Sequence, residues 1–147
     1  MQSPGLKKLA LYTDGASRGN PGPAALAVKI VDESGCVLLR VSRSLGKRTN
    51  NEAEYEALIA GLTLAGDFTD GHVQCFLDSE LVVKQLNGEY KVRNARLEGL
   101  WLKISDLQKR FSKVTFNHVS REDENMQEVD RQANRVLDKT SSQTPKS

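Results

Sequence analysis

An apolar run, Leu9-Ala-Leu-Tyr-Thr, ends on Asp14 and is followed at once by Gly15, Gly19, Pro21 and Gly22. A short hydrophobic segment bounded by such residues reads as a buried strand, because glycine and proline weaken any long continuation. Asp14 is therefore expected at a strand end, facing a tight loop whose small residues let a ligand approach the backbone. Thr13, Ser17 and Asn20 add neutral hydrogen-bonding groups beside it. A carboxylate in this setting can begin a divalent-cation site, although an isolated Asp-Gly more often only begins a turn. The rest of the chain decides between the two.

Alternating apolar residues predict strands over residues 8–13, 24–31 and 37–44. The last two are joined by Asp32-Glu-Ser-Gly35, which implies an antiparallel beginning. From residue 51 the composition turns to Ala, Leu and Glu at helical spacing, predicting a helix over 51–67 capped by Asn50 or Asn51. A short apolar strand at 73–77 and a short helix at 79–86 follow, the latter ended by Asn87-Gly88. Over 94–111, Leu97, Leu100, Trp101, Ile104, Leu107 and Phe111 fall on one helical stripe, which assigns Trp101 to the core rather than to base stacking. A strand at 113–119, a polar loop at 120–125 and a helix at 126–138 complete the order βββαβααβα. Residues 1–7 and 139–147 have little to bury and are expected to be disordered, leaving 8–138 as one α/β domain.

With 147 residues the chain can bury a core without disulfides or a structural metal. No apolar run approaches a membrane span, and residues 1–8 lack the hydrophobic segment of a secretory signal. A cytoplasmic location without a membrane partner is the expectation. Cys36 and Cys75 fall in strand-like segments with no Cys or His at metal spacing, and read as reduced packing residues. The net charge of +2 says little, but residues 84–113 hold eight basic side chains against three acidic ones, enough to offset phosphate charge.

Three further acids stand out. Asp78 lies where a strand meets the next helix, Glu54 lies one turn into the first long helix, and Asp130 lies at the edge of the last helix's apolar stripe. An acid at the margin of a core is costly unless it is paired or bound to a cation. Four carboxylates without histidine or cysteine make a hard oxygen set suited to magnesium or manganese rather than zinc. Two such ions about 4 Å apart can activate a water and stabilise the leaving oxygen of a phosphoryl displacement. Periodicity alone does not bring the four acids together.

Taken in order, Tyr12-Thr-Asp14-Gly-Ala-Ser-Arg-Gly-Asn20-Pro-Gly22, Thr49-Asn-Asn-Glu-Ala-Glu54, Leu77-Asp78-Ser79 and Glu128-Val-Asp130-Arg-Gln-Ala-Asn134 resemble ribonuclease H of type 1. The resemblance covers residues 8–138, in a short archaeal-like form. It implies a ribonuclease H-like fold, a mixed five-stranded sheet of order 3-2-1-4-5 flanked by helices, the first three strands antiparallel. It also implies an endoribonuclease that hydrolyses the RNA strand of RNA/DNA hybrids by two-metal catalysis, leaving 5′-phosphate and 3′-hydroxyl ends. Two Mg2+ ions per site, with Mn2+ as a substitute, a monomeric state, and double-stranded RNA as a further candidate substrate belong to the same expectation. The metal-binding acids would be Asp14, Glu54, Asp78 and Asp130. Glu54 is preferred to Glu52 and Glu56 because the family's glutamate follows the Asn-Asn pair by three positions. Gly15, Ser17, Asn20, Asn50, Asn51 and Ser79 match positions expected to contact the hybrid.

Two departures from the family pattern matter. Many members carry a histidine in the loop before the last aspartate, assisting proton transfer or product release, and residues 120–129 contain none. Arg121 is the expected substitute, with His118 in the preceding strand read as structural. The long basic insertion of several relatives is also reduced to Gly88-Glu-Tyr-Lys-Val-Arg93, so substrate grip is expected from Lys91, Arg93 and Arg96 and should be weak and salt-sensitive. A nuclease-fold module that holds hybrid without cutting it is a rival reading, opposed by the full set of acids. A resolvase or integrase core is another, opposed by the Asn50-Asn51 pair and the Asn20-Pro-Gly22 turn.

Overall fold

Strand alternation and helical spacing are both realised in a computed structural model, which describes residues 6–143. The elements are β1 (Lys8–Ser17), β2 (Gly22–Asp32), β3 (Val37–Arg48), α1 (Asn50–Ala65), β4 (His72–Leu77), α2 (Glu80–Leu86), α3 (Ala95–Gln108), β5 (Lys113–His118) and α4 (Glu124–Gln143). They form one sheet in the expected order β3-β2-β1-β4-β5. The β1–β2 and β2–β3 pairs are antiparallel hairpins, whereas β1–β4 and β4–β5 are parallel and need the helical crossovers between them.

Successive strand residues point to opposite faces, so the apolar residues divide into two cores. On one face Leu11, Leu26, Val28 and Ile30 pack with Tyr55, Leu58 and Leu62 of α1, and α3 covers the far side of α1 with Ile104 and Leu107. On the other face Ala25 and Ala27 let α4 come close through Met126, Val129, Ala133 and Leu137. Glu128 pins the same helix by charge. Its Oε1 lies 3.1 Å from Lys29 Nζ and its Oε2 lies 2.8 Å from Arg40 Nε, while Lys29 also donates to Asn125 Oδ1 at 2.8 Å. The helices behind the first core are tied by side chains too. The Tyr55 hydroxyl donates to Gln85 Oε1 at 2.6 Å, and Trp101, half-buried against this core, donates its indole N–H to the Gln85 carbonyl at 3.2 Å.

Several boundaries differ from expectation for identifiable reasons. β1 runs on to Ser17, so Asp14 lies inside the strand opposite Ala27 rather than at its end. Gly15 and Ala16 remain in the ladder opposite Leu26 and Ala25, since glycine tolerates an extended conformation whenever the partner strand continues. α1 is capped by Thr49, not by Asn50 or Asn51: its hydroxyl accepts the Glu52 N–H at 3.1 Å, and Glu52 Oε1 accepts the Thr49 N–H at 2.9 Å. α4 starts at Glu124, where Asp123 Oδ1 accepts the N–H groups of Asn125 and Met126, and it continues past 138 to Gln143. Adding turns to a helix already packed over its earlier length costs little.

Leu6 and Lys7, expected to be disordered, are anchored. The Thr69 hydroxyl donates to the Leu6 carbonyl and the His72 N–H donates to the Lys7 carbonyl at 2.8 Å. The rest of both expected disordered ends, residues 1–5 and 144–147, lies outside the described residues. Both cysteines are free thiols, but Cys36 is exposed in the β2–β3 turn rather than in a strand, with its N–H bound to Asp32 Oδ1. Cys75 is fully buried, which pushes its thiol pKa up. Replacing Tyr55 by Phe leaves the buried Gln85 oxygen without its donor, so a loss of about 1–2 kcal/mol is expected. Urea unfolding at unchanged m-value measures it.

Candidate active site

The site begins where α1 lies on the backbone of β1. A Cβ on Gly15 would stand 2.1 Å from the Ala53 carbonyl carbon and 2.4 Å from the Glu54 nitrogen, so only glycine permits this approach. The Gly15 N–H then donates to Glu54 Oε1 at 2.7 Å. Asp14 shares a strand face with Tyr12 and Ala16, the face covered by α4, so glycine at the next position joins acids from the two helical layers. The parallel register that pairs Tyr12 with Phe76 carries Asp14 and Asp78, each two residues on, to adjacent places.

Asp14, Glu54 and Asp78 each offer an oxygen within 4.8 Å of the others. Asp130, on α4, stands outside this trio but lines the same cleft of about 630 Å³, together with Gly15, Asn50, Asn51, Ser79 and Arg121. Burial, followed by the charges of Asp78 and Asp130, pushes the Asp14 carboxyl up to about 7. Glu54 is held well above the ordinary carboxylate range by burial and then by Asp14, against the opposing pull of the Gly15 N–H. Asp78 is raised by its own burial and drawn back by Arg121, whose Nε lies 3.7 Å from Asp78 Oδ2.

Asp14 Oδ2 and Glu54 Oε2 are buried without a hydrogen-bond partner among the described residues. Bare, like-charged oxygens so placed are costly, and a hard divalent cation removes both the repulsion and the lack of partners. The donor set therefore fits such an ion. The neighbouring glutamates have other duties: Glu52 completes the α1 cap and pairs with Arg96 at 3.2 Å, and Glu56 pairs with Arg48 at 2.6 Å.

The remaining expected residues divide by what they bond. The Ser17 N–H donates to Asn50 Oδ1 at 3.0 Å, the Asn50 N–H donates to Asn20 Oδ1 at 3.1 Å, and the Ser17 hydroxyl donates to the Arg48 carbonyl at 2.8 Å. These three residues thus lock the β1–β2 turn to the start of α1. Asn51 faces both the main cleft and an adjoining groove lined by Asn20, Asn94 and Arg96. Ser79 caps α2 by accepting the Val82 N–H at 3.3 Å. His118 Nε2 lies 3.1 Å from the Asp78 carbonyl oxygen and braces the end of β4. Lys91 and Arg93 are exposed. The sequence reading missed Gln127, Arg131 and Glu80, which also line the cleft. Helical spacing from Asp130 could have found Gln127, three positions before it.

The sequence pattern of the reverse transcriptase-like family matches residues 12–141. Ribonuclease HI of Halobacterium salinarum is 39% identical over 127 residues, 86% of this chain and 63% of that protein. The solved RNase H1 from the same archaeon superposes with a TM-score of 0.85 at 37% identity, covering 90% of this chain and 98% of that one. The chain belongs to the reverse transcriptase-like family, in its ribonuclease H type 1 branch. An RNase H1 isolated from compost, solved in complex with RNA/DNA hybrid, matches at a TM-score of 0.83 and 40% identity, covering 90% of this chain and 99% of that one. The N-terminal RNase H domain of Rv2228c from Mycobacterium tuberculosis matches at a TM-score of 0.87 and 34% identity, covering 92% and 97%. The chain spans 63% of the length of the halobacterial protein and 36% of the mycobacterial Bifunctional protein Rv2228c.

Two outcomes follow for this ribonuclease H site. Because the Asp14 carboxyl rises from 3.8 to about 7 on folding, the folded chain keeps a proton that the unfolded chain releases between those values. Stability of the cation-free protein should therefore fall as the pH rises through that window, and added magnesium should raise the melting temperature more above it than below. Gly15→Ala should force α1 off β1, costing about 1–3 kcal/mol in denaturant unfolding and weakening cation binding as Glu54 is displaced.

Proposed function

We propose that the chain is an endoribonuclease that hydrolyses the RNA strand of RNA/DNA hybrids with two divalent cations, Mg2+ or Mn2+ in its place, leaving 5′-phosphate and 3′-hydroxyl ends. The observation that carries this reading is the convergence of Asp14, Glu54 and Asp78, with two bare buried oxygens, in a cleft that Asp130 also lines. The complex of the compost relative with hybrid supports the choice of substrate.

Held by Asp14, Glu54, Asp78 and Asp130, the cations would supply an activated water and neutralise charge on the leaving oxygen. The chain's own groups do the rest. Asp14, with an oxygen near those of both Glu54 and Asp78, and Glu54 would fix where the cations' positive charge can sit beside the phosphate. Arg121 places an exposed guanidinium beside Asp78, where a loop histidine is absent, and so offers a positive group to the departing phosphate. Gly15, Asn50, Asn51 and Ser79 present backbone and small polar groups along the cleft, the chemistry needed to sense a 2′-hydroxyl. Lys91, Arg93 and Arg96 would attract the duplex backbone with an affinity that falls as salt rises.

Purified protein should cut the RNA strand of a labelled hybrid when given magnesium or manganese, and leave double-stranded DNA intact; double-stranded RNA in the same assay defines the breadth of substrate. Asp78→Asn should lower kcat by on the order of 10²–10³, the scale of removing one charge-stabilising group. Hybrid that is bound but never cut with any cation would establish a binding module instead.

A further inference from the structure

Arg18 reaches from the β1–β2 turn to α4. Its Nη2 lies 2.5 Å from Asp138 Oδ1 and 3.4 Å from both the carbonyl oxygen and Oδ1 of Asn134. Asn134 stands one helical turn after Asp130, on the same side of α4, and donates Nδ2 to the Asp130 carbonyl at 2.9 Å and to Asp130 Oδ1 at 3.3 Å. The turn that carries Arg18 is itself fastened to α1 through Ser17, Asn20 and Asn50. A continuous path of hydrogen bonds thus joins the start of α1, the turn and the carboxylate of Asp130.

The path has a direction set by chemistry. A primary amide can face a carboxylate with either end, but only its NH2 end attracts. Arg18 occupies the oxygen of the Asn134 amide, which leaves the nitrogen for Asp130. Without the guanidinium, the amide is free to turn its oxygen toward the carboxylate. Asp130 is also the acid with most need of such a guide. Asp14 and Glu54 are buried and Asp78 follows a strand end, whereas Asp130 is exposed and lies outside the tight trio.

We propose that Asn134 is a positioning residue that aims the Asp130 carboxylate at the cation site, and that Arg18 sets the orientation of the Asn134 amide. This rests on the reading of Asp130 as a cation ligand. Neither residue touches the reacting atoms, and the Arg18–Asn134 link joins two elements distant in sequence.

The test uses the full chain with Asn134→Ala, Arg18→Ala and the two combined. Mn2+ binding is measured by calorimetry without nucleic acid, and kcat and KM are measured on hybrid at low and saturating Mn2+. Asn134→Ala should weaken Mn2+ binding about 10-fold, within the range for groups that orient metal ligands. Arg18→Ala should weaken it by a smaller factor, and the double variant should bind Mn2+ no worse than Asn134→Ala alone, because Arg18 reaches the Asp130 carboxylate through the amide and its pair with Asp138 lies in solvent. The cation-free melting temperature should match the parent, KM for hybrid should stay constant, and kcat should recover at saturating Mn2+. Mn2+ affinity equal to the parent in Asn134→Ala, or losses that multiply in the double variant, would overturn the proposal. A lowered cation-free melting temperature with no rescue by Mn2+ would reduce Asn134 to a structural role and overturn it equally. If the parent binds Mn2+ and the variants weaken that binding while no protein cuts hybrid, the positioning role stands and the proposed function falls.

Discussion

The contact between α1 and the backbone of β1 at Gly15 is the constraint on which the site depends. Two helical layers sandwich the sheet, and acids carried by opposite layers would ordinarily be separated by the thickness of the sheet's side chains. Removing one side chain opens a gap through which Glu54 reaches the edge of Asp14. The flanking acids of α1 are kept away from this gap by their own partners, Glu52 by the helix cap and Arg96, Glu56 by Arg48. Glu54 alone is left to face inward. The resulting cluster is destabilising by itself once its carboxyls ionise, since burial of Asp14 and Glu54 disfavours their charged forms. It persists because packing behind it, Tyr55, Leu58 and Leu62 against the sheet, over-determines the position of α1.

Much of the fold was legible because its signals are local. Period-two alternation marked the strands, and the stripe through Leu97, Ile104 and Leu107 marked α3, where those residues are indeed buried. What failed was local chemistry with two readings. Gly15 looked like the end of a strand and is in fact a ladder residue whose missing side chain serves a different layer. Asn50 and Asn51 looked like caps because asparagine caps well, yet Thr49 forms the box with Glu52 and releases Asn50 to hold the turn.

The site was legible only through resemblance. Nothing in the spacing of Asp14, Glu54, Asp78 and Asp130 shows that three of them converge, because convergence depends on strand register and on the approach of α1. The path from Arg18 to Asp130 left even less trace. Its members lie on a turn and a helix at opposite ends of the chain, and although both fall inside the quoted motifs, nothing in the sequence pairs them with each other.

The two grips on α4 differ in a way that bears on Asp130. Ahead of it, Glu128 is bound by Lys29, whose side chain is 9% exposed, so the pair is shielded from dissolved ions. Behind it, Arg18 and Asp138 are 40% and 66% exposed and meet in solvent. At physiological ionic strength, charges in water are screened beyond about 8 Å, and exposed pairs weaken further as salt is added, while buried ones change little. Rising ionic strength therefore weakens the Arg18–Asp138 pair first, while Ala133 and Leu137 keep that end of α4 packed on the sheet. Asp130 sits between the ion pair that salt leaves intact and the one that it weakens.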